Sequence, residues 1–572
     1  MTRSKVTWIR VCALALAVSA AGPLFGQSYD QLAPKPVREG AAPLAAQPAA
    51  PAGPAASADD STVLLPSLSG IALIPSAERL NKGGAGQGGV AVDGLSWLNR
   101  GAVESLAHGF LSRPLTKGAL AKLVQGLVLL SRQENHPVVE VYAPPQDISS
   151  GVVQIVVLVA RVGQVKVEGN KWFSTEDLAR QVRIKPGDEI TGDSLVEDLD
   201  WLNQNPFRQV DLVYARGQGP GQTDVILRVA DEPPERVYAG YDDTGNEATG
   251  LGRVYTGFNL GDLWGDDNQL NYQYTRSTDW KLLQAHSASY SVPLPNRDTV
   301  SVFGSWARAD SITGGLFDLQ GINWQVGTRY NIPLPSLPGD TQTLSFGADY
   351  KWSNNNLGFG GTQIFTSPAN IAQGVLSYSG SVKDAQGTTS GSLTGYYSPG
   401  GIGGLNHDHD FVVQRAGAKA DYGYLTATLG RVQELPQDFT LGLTVTGQVA
   451  SARLLSSEEF GLGGADSVRG YDERIANGDN GISGQLELRT PSRQLSAQLQ
   501  DRTQALVFVD AGRDWQKDPM QGDVNTTLAS AGPGIRVQLG SHGSLKADYG
   551  WELDRLKGTH TGRIHLSAVV SF

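Results

Sequence analysis

Residues 564–572 read Ile-His-Leu-Ser-Ala-Val-Val-Ser-Phe. Ile564, Leu566, Ala568, Val570 and Phe572 fall on one face of an extended strand, Arg563, His565, Ser567 and Ser571 on the other, and only Val569 breaks the alternation. A period of two with one wholly apolar set describes a strand with one greasy and one wet face. The same pattern fills the chain from about Arg236 onward. Leu344, Phe346, Ala348, Tyr350 and Trp352 alternate with Ser345, Gly347, Asp349 and Lys351. Ile322, Trp324, Val326, Tyr330 and Ile332 recur in the same way, as do Phe439, Leu441, Leu443 and Val445, and Leu545, Ala547, Tyr549, Trp551 and Leu553. Strands this long, with aromatics toward one end of the apolar face, fit a bilayer-spanning antiparallel barrel better than a sandwich.

An internal repeat counts the strands. Tyr290-Ser-Val-Pro-Leu-Pro295 and Tyr330-Asn-Ile-Pro-Leu-Pro335 are the same strand end and turn, one hairpin apart. Each strand with its connection then takes about twenty residues, so residues 236–572 hold about sixteen, an even number as single-chain bacterial barrels prefer. A barrel that wide leaves an aqueous channel unless something plugs it.

The N-terminus predicts export. Arg3, Lys5 and Arg10 precede an apolar run, Val11–Ala21, too short to span a bilayer; residues 1–26 read as a secretory signal cleaved after Ala21 or Gly26. The single cysteine, Cys12, lies inside that run, so the mature chain is expected to lack disulfides, thiolate metal sites and a cysteine nucleophile. No other segment approaches eighteen uninterrupted apolar residues, which argues against membrane helices but not against a barrel. The 70 glycines and 29 prolines suit many strands and turns, and a net charge of −11 argues against nucleic acid as partner.

Residues 27–61 form a linker in which Pro34, Pro36, Pro43, Pro48, Pro51 and Pro54 sit among alanines; it is expected to be an extended, mobile tether. Two small α+β modules follow, residues 62–161 and 162–232. The second is clearer. Gln164–Glu168 is a strand, Gly169-Asn170 a turn, and Ser174 with Asp177 opens a helix; Leu195, Leu199 and Leu202 mark one face of another. Strands around Val210–Tyr214 and Val225–Val229 close the order β-α-α-β-β. The first repeats it more loosely, with a strand near Leu68–Ile74, a helix bearing Leu120, Leu123, Leu127 and Leu130, and strands at Val138–Tyr142 and Val152–Val159.

Two motifs in the barrel region stand out. Ser467-Val-Arg-Gly-Tyr-Asp472 is a long connection between strands ending near Leu455 and starting near Ile482. Phe508-Val-Asp-Ala-Gly512 lies in a strand whose apolar face is Ala505, Val507, Val509 and Ala511, so Phe508, Asp510 and Gly512 share the lumen face. Two other patterns carry little. Gly84-Ala-Gly-Gln-Gly-Gly89 matches a dinucleotide fingerprint without a preceding strand. His407-Asp-His-Asp410 would put two histidines on one strand face with no third metal ligand in sequence. No Ser/His/Asp or paired-carboxylate arrangement has a catalytic context, and neither a cofactor nor a metal is implied.

Together the two barrel motifs resemble the inward-folded loop (VRGY) and partner-strand motif (FxDxG) of the outer-membrane translocase superfamily that includes the barrel-assembly proteins. With two modules ahead of a sixteen-stranded barrel, the chain is similar to the two-partner secretion transporters, the ShlB/FhaC/HecB-type haemolysin secretion and activation proteins. The likeness covers about residues 62–572, and includes Tyr142–Asp147 after a strand of the first module and Asn203–Arg208 after the last helix of the second. The chain's end on Phe572 also resembles the assembly signal of outer-membrane barrels.

The resemblance implies that the modules are POTRA domains in the periplasm, that Val468, Arg469, Gly470 and Tyr471 form a lumenal loop, and that Arg469 pairs with Asp510 while Gly470 and Gly512 permit close approach. It implies secretion of a large unfolded partner such as a filamentous haemagglutinin-like adhesin or a haemolysin. Further partners implied are outer-membrane lipid and lipopolysaccharide, and the assembly machinery during biogenesis. Several members of that family carry an N-terminal plug helix, whereas the residues after the signal here are broken by prolines. The rival functions are a barrel-assembly factor and a passive porin; the proline-rich tether and only two modules weigh against the first, and any periplasmic module against the second.

Overall fold

The computed structural model describes residues 32–36 and 60–572, apart from 85–87, 220, 247–248, 314–316, 336–339, 360–361, 499 and 557–560. The expected signal, residues 1–26, and most of the tether lie outside the described residues. The described chain forms two compact units, one of modules and one of barrel.

In the modules, burial follows the sequence periodicity. The first has a four-stranded sheet in the spatial order Gly89–Val92, Gly70–Ile74, Val152–Val159, Val139–Tyr142, with helices Arg100–His108 and Lys117–Gln133. Leu123 and Leu127 pack with Leu73, Ile155 and Val157 in one apolar core. The strand Gly89–Val92 and its parallel pairing with Gly70–Ile74 were not legible in the sequence. The glycine-rich segment ending at Gly89 leads into that strand and not into a helix, so it lacks the helix N-terminus that a pyrophosphate turn uses. The second module has strands Arg161–Glu168, Arg208–Arg216 and Gln222–Asp231, the last central. Its helices are Thr175–Gln181 and Gly192–Leu202. The Ser174 hydroxyl accepts the Asp177 N–H at 3.3 Å, capping the first of them. Asp231 accepts the N–H groups of Lys171, Trp172 and Phe173 at 2.8–3.0 Å and fixes the turn between strand and helix.

The barrel has sixteen strands. In chain order they are β1 (Glu235–Asp242), β2 (Arg253–Leu263), β3 (Asn268–Ser277), β4 (Leu283–Pro293), β5 (Thr299–Thr313), β6 (Phe317–Pro333), β7 (Thr341–Phe359) and β8 (Thr362–Asp384). There follow β9 (Gly387–Pro399), β10 (Asp421–Glu434), β11 (Thr440–Ala450), β12 (Asn480–Arg489), β13 (Asp501–Trp515), β14 (Thr527–Leu539), β15 (Gly543–Glu552) and β16 (Gly562–Ser571). Each pairs antiparallel with its chain neighbours, and β16 closes the ring on β1 through Tyr238↔Ser571 to Asp242↔Ser567. The two YxxPLP segments end β4 and β6 at equivalent positions, which is why they counted the strands correctly.

The terminal alternation sets the two faces of the wall. Ile564 and Phe572 are 62% and 84% exposed on the outside, whereas His565 and Ser571 are buried inside. Val569 breaks the pattern because it packs inside against Tyr238 and Tyr255. Outside, Tyr274, His286, Trp306, Trp324 and Trp352 align in one row across β3–β7, and Tyr330 stacks on Phe346 six residues further down β6. Such aromatic rows mark the two interfaces of a bilayer. Turns are short at the rim where β1 begins, except between β12 and β13, and the longest connections, from β9 to β10 and from β11 to β12, lie at the opposite rim.

Candidate functional site

The connection from β11 to β12, residues 451–479, folds into the lumen. Its own two short strands, Phe460–Leu462 and Ala476–Gly478, pair with each other and present residues 463–475 as a tip. The loop begins five residues earlier than the sequence suggested, where β11 ends at Ala450.

At the tip, Arg469 is 1% exposed and faces the lumenal side of β13. Its Nε and Nη2 donate to the two carboxylate oxygens of Asp510 at 2.7 and 2.8 Å, and its backbone N–H reaches the same group at 3.1 Å. Nη1 donates to Glu487 of β12 at 2.5 Å and lies 3.5 Å from Asp548 of β15. The guanidinium carbon stands 3.6 Å from the centre of the Phe508 ring, a cation–π contact on the same face. Arg489 pairs in turn with Glu487, and Arg536 with Asp548. A two-pronged guanidinium–carboxylate pair fixes orientation as well as distance. Removing one partner of a buried pair costs about 3–5 kcal/mol, because the other charge stays behind uncompensated.

The flanking motif residues fit the loop to the wall. Val468 is buried among Phe460, Leu462 and Leu528. Gly470 has φ +92°, and a Cβ there would stand 2.7 Å from the Gly550 carbonyl oxygen, so loop backbone lies directly against β15 backbone. Its N–H donates to His565 Nε2 at 3.0 Å, so that ring nitrogen carries no proton. The Tyr471 hydroxyl lies 2.8 and 2.7 Å from the carbonyls of Ala529 and Asp554 and serves one at a time. A Cβ on Gly512 would run into the Leu462 side chain, so this glycine seats the loop's hairpin on β13.

Val468, Arg469, Gly470, Tyr471, Phe508, Asp510 and Gly512 thus lie in or against this loop. Glu487, Asp548 and His565 were missed. Alternation puts Glu487 inside, but a polar lumen holds many charges and nothing in the sequence singles this one out. Phe572 stands elsewhere: it extends the β1–β16 seam by exchanging backbone hydrogen bonds with Val237 at 2.9 and 3.0 Å.

Two expectations are corrected. His407 and His409 do not share a strand; His407 caps the short helix Asp408–Gln414 in the β9–β10 connection, because Asp410 accepts the His407 N–H and favours a helix start there. Among the described residues no cluster of three or more His, Cys, Asp or Glu is placed to hold a metal. The second correction concerns the tether, part of which is seated in the barrel. Leu32 packs on Ala285 and Ala307, the Lys35 N–H donates to the Tyr238 hydroxyl at 3.0 Å, and Lys35 Nζ lies 3.6 Å from Asp242. The prolines leave carbonyls free to accept from the wall, as Pro36 does from Arg236 at 2.8 Å.

Comparison with known proteins identifies the family. Residues 221–537 match the family model described as haemolysin secretion/activation protein ShlB/FhaC/HecB. Residues 88–159 match the ShlB-type POTRA domain, and 160–230 the surface antigen variable number repeat, also a POTRA model. The chain is 23% identical over 409 residues to the heme/hemopexin transporter protein HuxB of Haemophilus influenzae, covering 68% of this chain and 69% of that protein. It is 24% identical over 480 residues to the outer membrane transporter CdiB-2 of Burkholderia pseudomallei, covering 78% and 75%. The structure of CdiB from Escherichia coli superposes with a TM-score of 0.72 at 17% identity, over 92% of this chain and 94% of that one. These matches favour secretion over barrel assembly or passive permeation. The chain therefore belongs to the ShlB/FhaC/HecB family and is an outer-membrane, two-partner secretion transporter with periplasmic POTRA domains.

Proposed function

We propose that the POTRA modules capture an unfolded exoprotein, of filamentous haemagglutinin or haemolysin type, by adding one of its strands to the outer strand of a module sheet. The exoprotein then passes through the barrel beside a loop whose position is set by Arg469 and Asp510. Each module has outer strands, Val139–Tyr142 in the first and Arg208–Arg216 in the second, of the kind that strand addition uses. With no nucleotide in the periplasm, net transport rests on folding at the exit preventing return. The apolar outer wall contacts outer-membrane lipid and lipopolysaccharide, and Phe572 is read by the barrel-assembly machinery during insertion.

The observation that carries the lumenal part is the almost complete burial of Arg469 against Asp510 inside the barrel. The test of capture is deletion of residues 62–232. The truncated barrel should insert and be heat-modifiable yet release no exoprotein; secretion at the normal level would remove the capture role.

A further inference from the structure

Among the other buried charges of the lumenal loop is Glu458, eleven residues before Arg469. Glu458 is 4% exposed, and its carboxylate accepts from Lys351 Nζ at 2.8 and 3.0 Å, from the Tyr424 hydroxyl at 2.8 Å and from Gln373 Nε2 at 3.2 Å. Lys351 is on β7, Gln373 on β8 and Tyr424 on β10. Beside them Asp349 of β7 holds Arg329 of β6 at 2.6 Å and lies 3.4 Å from the same Gln373 nitrogen. The partners of Arg469 are on β12, β13 and β15. In a ring of sixteen strands β7 and β15 are eight apart, the largest separation the ring allows. The loop is therefore held by charged contacts on opposite halves of the wall.

We infer that Glu458 and Lys351 are a second anchor of the lumenal loop, positioning residues that act with Arg469 to string it across the lumen. A single anchor leaves a loop free to pivot about it; two on facing walls fix where its middle lies. The chemistry suits this role. A lysine ammonium and a carboxylate kept from water are each costly alone and tolerated together, so the pair resists separation by a passing segment while staying reversible. Glu458 is only eight residues beyond the end of β11, which leaves little slack between anchor and wall. The inference rests on the proposal that loop position matters for secretion, and the experiment separates the two.

Lys351→Met, Glu458→Gln and the double variant are compared in the full-length transporter, scoring only heat-modifiable, folded barrel. A cysteine introduced as Ser456→Cys, with Cys12 replaced by serine, reports lifting of the loop base through its rate of maleimide labelling. Each single variant should raise labelling and lower secretion by about tenfold or more, the scale set by losing hydrogen bonds to a charged group. The double variant should be no worse than the more severe single, because it removes both charges of one pair. Two single-residue variants guard against misfolding of either. Unchanged labelling in both overturns the anchor, and so do strictly additive losses. Raised labelling with intact secretion leaves the anchor standing and overturns the role of the loop in transport.

Discussion

Arg469→Ala should abolish secretion while leaving the barrel folded, and the structure sets the size of the effect. Around Arg469 are three cations, Arg469, Arg489 and Arg536, and three carboxylates, Glu487, Asp510 and Asp548. Removing Arg469 leaves three carboxylates facing two cations and strips Asp510 of a two-pronged partner. The cost of about 3–5 kcal/mol shifts the ratio of docked to released loop by about a hundred- to several-thousand-fold. Asp510→Ala should be milder. Arg469 would keep Glu487 at 2.5 Å and Asp548 at 3.5 Å, so the loss is that of a charged hydrogen-bond pair, about 1.5–3 kcal/mol. The double substitution should be no worse than Arg469→Ala, since the second change removes a group that has already lost its partner. Exoprotein in the medium, normalised to folded transporter in the outer membrane, is measured for all four members of the cycle. Additive losses, or full secretion by Arg469→Ala, would refute the pair as a working contact.

Three further outcomes are expected. Gly470→Ala should impair secretion, because the left-handed backbone costs about 1–2 kcal/mol and the new Cβ would stand 2.7 Å from a wall carbonyl; wild-type secretion would contradict the close backbone approach. Appending polar residues after Phe572 should lower the yield of folded barrel in outer-membrane fractions, since that residue completes the β1–β16 seam, and an equal yield would count against this. Asp231→Asn should make the second module more sensitive to protease in the intact chain. Burial raises the pKa of the Asp231 carboxyl, but the N–H groups of Phe173, Trp172 and Lys171 outweigh it and hold the pKa below the ordinary carboxylate value. The stabilisation is thus present above the unfolded pKa of about 4 and is lost as pH falls through the lower folded value. Protection that stays constant down to pH 2 would exclude that contribution.

Strand faces and strand number were legible because each rests on a local rule, whereas the two motifs were singled out by their resemblance to a known family. Period-two alternation depends only on neighbours in the chain, and the repeat ending β4 and β6 is a copied turn. The strand Gly89–Val92 was not legible, because four residues beside a glycine run carry too short a pattern and their pairing with Gly70–Ile74 is tertiary. His407 failed similarly: an i, i+2 spacing suits a strand until the Asp410 cap competes for the backbone. Lys351 reads as one of many inward polar residues on β7, and Glu458 as a loop charge. Their meeting depends on how the loop crosses the barrel, which no window of sequence contains.

The charge count at the loop's ends has a consequence for cargo. Beside Arg469 three positive side chains face three negative ones, and beside Glu458 four, Lys351, Arg329, Arg415 and Arg474, face four, Glu458, Asp349, Glu459 and Asp479. Each group is electrically neutral as a whole, so its potential dies away within its own dimensions and does not spread along the lumen. Neither end of the loop acts as a fixed charge that would draw in acidic segments or turn back basic ones. Being buried, the contacts are also only weakly screened by added salt. On the proposed path beside the loop, a long polypeptide with lysines and aspartates in any order would therefore meet neither fastening as a net charge.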